Sequence, residues 1–176
     1  MTAVTGNVFS AAQFNQHVRD NLNTTAPAVA TTAGRLIVTT AANVVTERNP
    51  SVTFTDPGDE STASTTYGNL TTFGPQVGEI TGTRALIMIG CNASNNTGGL
   101  ASRMVVEVTG ATTIAADDAN GMLIESGNAN DAFQWTWTLI LTGLNSGFNT
   151  FVAKYRTSAG GGVSTFNARL LCVVPF

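Results

Sequence analysis

From Ser51 to the last residue the chain is a succession of short apolar segments cut apart by Gly, Pro, Asn and Asp. This punctuation constrains the fold more than any other feature. Each segment has the length of a strand, and none sustains the apolar stripe of a long helix. The clearest is "FQWTWTLILT", where Phe133, Trp135, Trp137, Leu139 and Leu141 face one way and Gln134, Thr136 and Thr138 the other. Two tryptophans on such a face read as core, with a sugar-stacking platform as the alternative. "RALIMIGC" is a continuous apolar run, as in a strand covered on both faces. "SVTFT", "SRMVVEVTG", "FNTFVAKYRT" and "TFNARLLCVVPF" follow the same grammar. Phe151, Ala153 and Tyr155 share one face; Phe166, Ala168, Leu170, Cys172 and Val174 share another. "DPGDES", "NASNNTGG", "GLNSG" and "SAGGGVS" read as turns or loops. About eight strands at this spacing predict an all-β fold. It should be an antiparallel β-sandwich, jelly-roll-like, although spacing alone leaves an immunoglobulin-like topology open.

Residues 1–50 are written differently. In "FSAAQFNQHVRDNLN", Ser10 is a good N-cap and Gln13 stands three residues later, as a capping box requires. Phe9 and Phe14 occupy the positions of a hydrophobic staple. Ala11, Phe14, Val18 and Leu22 form a single apolar stripe. Arg19, toward the C-terminal end, suits the helix dipole. Pro27 and the preceding Asn-Thr-Thr end the helix. "TTAPAVATTAG" reads as an extended linker. "RLIVTTAANVVTERNP" reads as a hairpin, with strands Arg35–Thr40 and Val44–Glu47 around Ala42-Asn43. The expected organisation is an attachment arm over 1–50 and a sandwich over 51–176. A three-turn helix is marginal alone in water, so its stripe is expected to pack on a partner. Phe9, Phe14, Val18 and Leu22 are the candidate interface, with Arg19 and Asp20 fixing the helix against that partner. Burying an aromatic and two aliphatic side chains contributes roughly 1.5–3 kcal/mol each.

Charge narrows the function. Only 11% of residues are charged, against about a quarter in an average domain. The exterior is therefore built from Thr, Ser and Asn, or covered by other subunits. Eight Lys and Arg residues and a net charge of −3 give no nucleic-acid footprint. No apolar run approaches the roughly 20 residues of a membrane-spanning helix. The N-terminus has no basic region followed by an apolar stretch, so synthesis and assembly in a cytoplasm are expected. Cys91 and Cys172 are expected as free, buried thiols.

No motif predicts catalysis. His17 is the single histidine, and with no second one it is expected to be a polar bystander, not a base or metal ligand. Asp117, Asp118, Glu125 and Asp131 read as acidic turns in solvent; calcium is the alternative, but their spacing matches no calcium loop. Nothing brings Glu79 or Glu107 to a second carboxylate as hydrolysis would need. No phosphate loop, nucleophile elbow or Cys–His pair is present. A non-enzymatic chain without cofactor or metal is expected.

The segment "FSAAQFNQHVRDNLNTTAPAVATTAGRLIVTTAANVVTERNP" resembles the N-terminal part of small virion structural proteins from phages of actinobacteria. There a "TAAQxNxxVRDNLN" helix precedes "TAPA", a "TTAG" turn and an "ANxxxER" piece. Ala11 to Gln13, Asn15, Val18 to Asn23, Ala26, Pro27, Thr31 to Gly34, Glu47 and Arg48 carry the likeness. "YGNLTTFGPQV", "GTRALIMI", "MVVEVTGATT" and the stretch from Gly143 to Phe176 extend it along nearly the whole chain. The resemblance implies a trimeric, jelly-roll-like component of the virion surface. One such role is capsid decoration, attached to the major capsid protein through the arm. The alternative is a tail-tip or minor tail protein, contacting other tail proteins, whose head binds a host surface or glycan. The short stalk favours decoration.

Overall fold

The computed structural model describes residues 10–23 and 25–176. The chain divides into two units, Met1–Glu47 and Arg48–Phe176.

The first unit holds helix α1 (Ala11–Asn23), helix α2 (Ala26–Val29) and strand β1 (Leu36–Ala41), and the chain leaves it along β2 (Val44–Arg48). The expected extended linker thus begins with a helical turn, and Thr25 is the reason. Its N–H and Oγ1 both donate to the Leu22 carbonyl, at 3.1 and 2.7 Å, closing α1. Its own carbonyl accepts from Ala28 and Val29, at 3.1 and 3.2 Å, opening α2. β1 and β2 form the expected hairpin, turning at Asn43 with φ +58°, a conformation asparagine tolerates.

The second unit is the sandwich. Its strands are β3 (Ser51–Thr55), β4 (Glu60–Thr62), β5 (Gln76–Thr81), β6 (Arg84–Asn95), β7 (Ala101–Gly110), β8 (Gly121–Glu125), β9 (Phe133–Thr142), β10 (Gly147–Thr157) and β11 (Ser164–Pro175). One sheet runs β3-β11-β6-β9, with β4 also on β11; the other runs β5-β10-β7-β8. Every pairing is antiparallel. The pairs are nested: β3 with β11, β5 with β10, β6 with β9, β7 with β8. A long hairpin rolled into two sheets has this order, so the fold is a jelly roll and the immunoglobulin-like alternative falls away.

Ile87, Ile89, Leu171 and Val173 of one sheet meet Met104, Val106, Val108 and Phe151 of the other in a fully buried core. Tyr155 and Phe166 join the sheets, their ring centroids 5.0 Å apart and tilted by 58°.

Three strand expectations change. β6 continues through Asn92–Asn95, which the sequence assigns to a loop. Asn95 is buried, and its amide donates to Thr157 Oγ1 and Ser164 Oγ at 3.1 and 3.0 Å, so a polar end is satisfied inside the sheet.

In β11 the register against β6 shifts between Asn167 and Leu170. Phe166 faces the core as expected, but beyond the bulge Arg169, Leu171 and Val173 face inward. Leu170, Cys172 and Val174 move to the outer face, so Cys172 is half-buried where Cys91 is fully buried. Burial pushes the Cys91 thiol up to about 12. The bulge is held from a distant turn: Asp56 accepts from the Ala168 N–H at 3.2 Å, and Asp59 accepts from the Asn167 amide. Ala168 sits at φ +47°.

Arg169 is entirely buried, with Nη2 2.8 Å from Glu60 Oε2. Its Nη1 donates to the Thr72 and Gly74 carbonyls at 3.2 and 3.3 Å, and the guanidinium lies 5.4 Å from the Tyr155 ring centroid. Glu60 also accepts from the Thr72 N–H at 2.8 Å. Burial would raise the Glu60 carboxyl, but the hydrogen bonds from Thr72 and the charge of Arg169 outweigh it and hold the group below its ordinary value.

The third change concerns β9. Trp135, Trp137 and Phe133 pair opposite the buried Cys91, Ile89 and Ala93, so they do lie on the core-facing side. β9 is the edge strand, however, and the facing edge, β8, is five residues against ten. Leu141 is covered; the aromatics are not.

Leu171→Ala should cost about 2–5 kcal/mol in urea unfolding, the range for a buried leucine. Leu170→Ala should cost far less, and equal costs would contradict the shifted register. Arg169→Leu should lose about 3–5 kcal/mol, because it strands the buried Glu60 carboxylate. With a folded value below the unfolded one of about 4.3, Glu60 contributes stability that is full above that pH. The contribution is lost as pH falls through the lowered folded value. Glu60→Gln should therefore be less stable at neutral pH yet flatten the acid limb of a stability–pH curve.

Candidate functional site

The capping box at the front of α1 is formed. The Gln13 N–H donates to Ser10 Oγ at 3.2 Å, and the Ser10 N–H donates back to Gln13 Oε1 at 3.1 Å. Phe14 N–H donates to the Ser10 carbonyl at 2.9 Å, the first helical bond. Phe9, the other half of the expected staple, lies outside the described residues. Phe14, Val18 and Leu22 fall at four-residue spacing along α1 and are 60%, 40% and 57% exposed. The stripe is therefore assembled and open. Arg19 and Asp20 are exposed neighbours whose charged groups approach to 3.4 Å. Such a pair is worth little on its own. α1 ends at Asn23 with no basic residue in its last turn, so Arg19 stands one residue short of the dipole position expected for it.

The "TTAG" and "ER" pieces are physically coupled. The Thr31 and Thr32 N–H groups both donate to Glu47 Oε1, the latter at 2.9 Å, and Arg35 Nε lies 3.9 Å from Glu47 Oε2. The Thr32 hydrogen bond, more than any other influence, holds the Glu47 carboxyl below its ordinary value.

The acidic group of β8 and its flanks does not converge. Asp117 accepts from the Ala119 N–H at 2.9 Å. Asp118 takes both of its oxygens to Arg156 Nη2, at 2.7 and 2.8 Å, lies 3.1 Å from Arg103, and accepts from the Tyr67 hydroxyl. That tyrosine hydrogen bond, followed by Arg156, holds Asp118 below its ordinary value. Tyr67 itself is pushed up to about 12 by burial and by its bond to Asp118. Asp131 accepts from Ser126 and Asn128, at 2.8 and 3.0 Å. Among the described residues no three His, Cys, Asp or Glu side chains are grouped as a metal site needs, His17 included. No helix among them is long and apolar enough to cross a membrane.

Two further apolar surfaces belong to the sandwich; the sequence offered the first only as the alternative to a core face, and the second was not expected. The first is the uncovered aromatic row of β9: Phe133, Trp135 and Trp137 are 42%, 56% and 47% exposed. A groove of about 180 Å³ runs between this row and β8, lined by Leu123, Ile124, Glu125, Phe133 and Trp135. The second is the outer face of the same sheet. There Val52 and Phe54 lie across from Cys172 and Leu170, Cys172 lies across from Met88, and Leu86 across from Ile140. No charge interrupts these ranks. The outer face of the other sheet is its opposite in character, carrying Lys154–Glu107 at 3.5 Å and the Arg103–Asp118–Arg156 cluster. A signal for the outer face existed in "LIMI" and "LLCVV", which are apolar on both sides of the strand.

No family model and no curated protein sequence matches this chain. Among solved structures it is similar to the crystal structure of the infectious bursal disease virus VP2 subviral particle, at 15% identity and a TM-score of 0.46. The match covers 78% of this chain and 37% of that one. It is also similar to the structure of the Gx strain of the same virus, at 12% identity and a TM-score of 0.43, over 77% of this chain and 35% of that one. The chain thus spans little more than a third of the length of either.

Proposed function

We propose that this chain is a non-enzymatic virion structural protein, a capsid decoration protein attached through its N-terminal arm. The observation that carries the reading is α1: a properly capped helix whose stripe of Phe14, Val18 and Leu22 is left open. A short helix gains its stability from packing an apolar face, so an open stripe calls for a partner. The likeness of the "VRDNLN" helix and its coupled "TTAG" and "ER" pieces to phage virion proteins supports the choice of partner. In this reading the stripe docks on the major capsid protein, three copies group together, and assembly takes place in the cytoplasm of a bacterial host, giving a chain displayed on the virion surface.

A second reading has one specific observation in its favour. Aromatic side chains exposed beside a groove, as Trp135 and Phe133 are, suit a glycan-binding head of a tail-tip protein. The helix stripe would then seat the chain on other tail proteins.

The stripe supplies the test. Phe14→Asp should abolish retention of the protein on purified particles while leaving the melting transition of the sandwich unchanged, since Phe14 is exposed in the chain itself. Val18→Ser should weaken retention in the same direction. Undiminished retention of Phe14→Asp would show that the stripe is not the attachment element. For the three-fold grouping, light scattering of purified protein that gave the mass of one chain at micromolar concentration would contradict it.

A further inference from the structure

β9 is an edge that carries none of the protections edges usually carry. Its ladder with β6 is unbroken from Arg84↔Thr142 to Ala93↔Phe133, without a bulge. Its ten residues include no charge and no proline. Short length, charges, prolines and bulges are the devices that keep an edge from pairing. The other edges have at least one: β3 and β4 have five and three residues, β5 six with Glu79, and β8 five with Glu125. Along β9 every second residue turns its N–H and C=O away from β6. Among the described residues no backbone hydrogen bond outside the ladder involves 133–142. A row of open donors and acceptors at strand spacing is complementary to one thing, another extended strand.

We infer that β9 pairs antiparallel with β9 of a second copy of this chain, joining two sheets edge to edge about a two-fold axis. The strand is suited to itself. It is uncharged, so two copies meet without repulsion. A two-fold axis perpendicular to the sheet keeps each face continuous, so the row of Phe133, Trp135 and Trp137 continues into the same row of its partner. The area suffices. Aromatic side chains bury 150–250 Å² each, so three that are about half exposed leave on the order of 300 Å² open per copy. With the exposed Ile140 and the backbone edge, two copies offer on the order of 1,000 Å², the lower bound for a specific interface. The inference goes beyond the attachment proposed for α1 and needs no particle. If chains are also grouped in threes, the pairing links neighbouring groups.

The test is hydrogen exchange of the full-length protein over a range of concentrations. The outward-facing amides of β9 should exchange freely when dilute and become protected as concentration rises. The double variant Trp135→Lys/Trp137→Lys should lose this protection while keeping that of β6, whose amides report the fold. Should that variant fail to fold, single cysteines at the exposed positions 134, 136 and 138 carry the test. In Gln134→Cys, Thr136→Cys and Thr138→Cys, oxidation should give a disulfide-linked dimer most readily at the position nearest the axis, and none in the parent chain. Outward amides of β9 that exchange freely at every concentration, or that stay open while the protein associates, would overturn the pairing. So would protection independent of concentration. Free exchange would return Trp135 and Trp137 to the glycan reading.

Discussion

The sandwich turns on one buried guanidinium. Arg169 sits in the middle of β11, the strand flanked by β3 and β4 on one side and β6 on the other. A charge taken out of water is tolerated only with an opposite charge and hydrogen bonds around it. Glu60 supplies the first, and the Thr72 and Gly74 carbonyls supply the second. These partners lie on β4 and on the segment leading to β5, so the pair ties the start of the sandwich to its last strand. Such a pair is better understood as specifying register than as adding stability, since apolar replacements of whole pairs are often neutral. In β11 a one-residue slip would exchange Leu171 and Val173 for Leu170 and Cys172 in the core.

That register also decides what the outside looks like. Once the bulge sends Arg169, Leu171 and Val173 inward, Leu170, Cys172 and Val174 must face out beside Met88 and Leu86. One sheet therefore presents an outer face that is apolar across β3, β11 and β6 and turns polar along β9, and the other presents ion pairs. A chain with 11% charged residues has few ions to distribute, and the surface ion pairs of the sandwich lie on the sheet β5-β10-β7-β8 and its flanks. The low charge noted in the sequence thus reflects a surface divided by face, with the apolar share suited to association.

What was legible in the sequence is what local chemistry decides. Ser10 and Gln13 announce their capping box because both partners lie within one turn of each other. Phe133 and Thr142 were correct bounds for β9, because alternation and turn residues are local. Whether Trp135 is covered was not legible, because coverage depends on which strand lies opposite and how long it is. The inward set of β11 was misread for a related reason. Asp56 and Asp59, more than a hundred residues earlier, hold the bulge, and no pattern within "TFNARLLCVVPF" reveals them. Arginine is by type a surface residue; only the path of the chain past Glu60 makes Arg169 a core residue. The jelly-roll order itself depends on pairings between the two ends of the chain, which spacing does not encode. At the candidate interface, Phe14, Val18 and Leu22 were placed by helical period and stand as a stripe, while Glu47 joined the arm through contacts that sequence separation hid.

In the proposed reading these features make a building block: an open helix stripe for attachment, a sandwich, and an uncharged edge. The most direct measurement is the number of copies of this chain in a purified particle, by quantitative mass spectrometry against the major capsid protein. Decoration predicts many copies in a fixed ratio to the capsid protein. A handful of copies per particle would contradict decoration and place the chain in the tail, and a particle without the chain would contradict a virion role altogether.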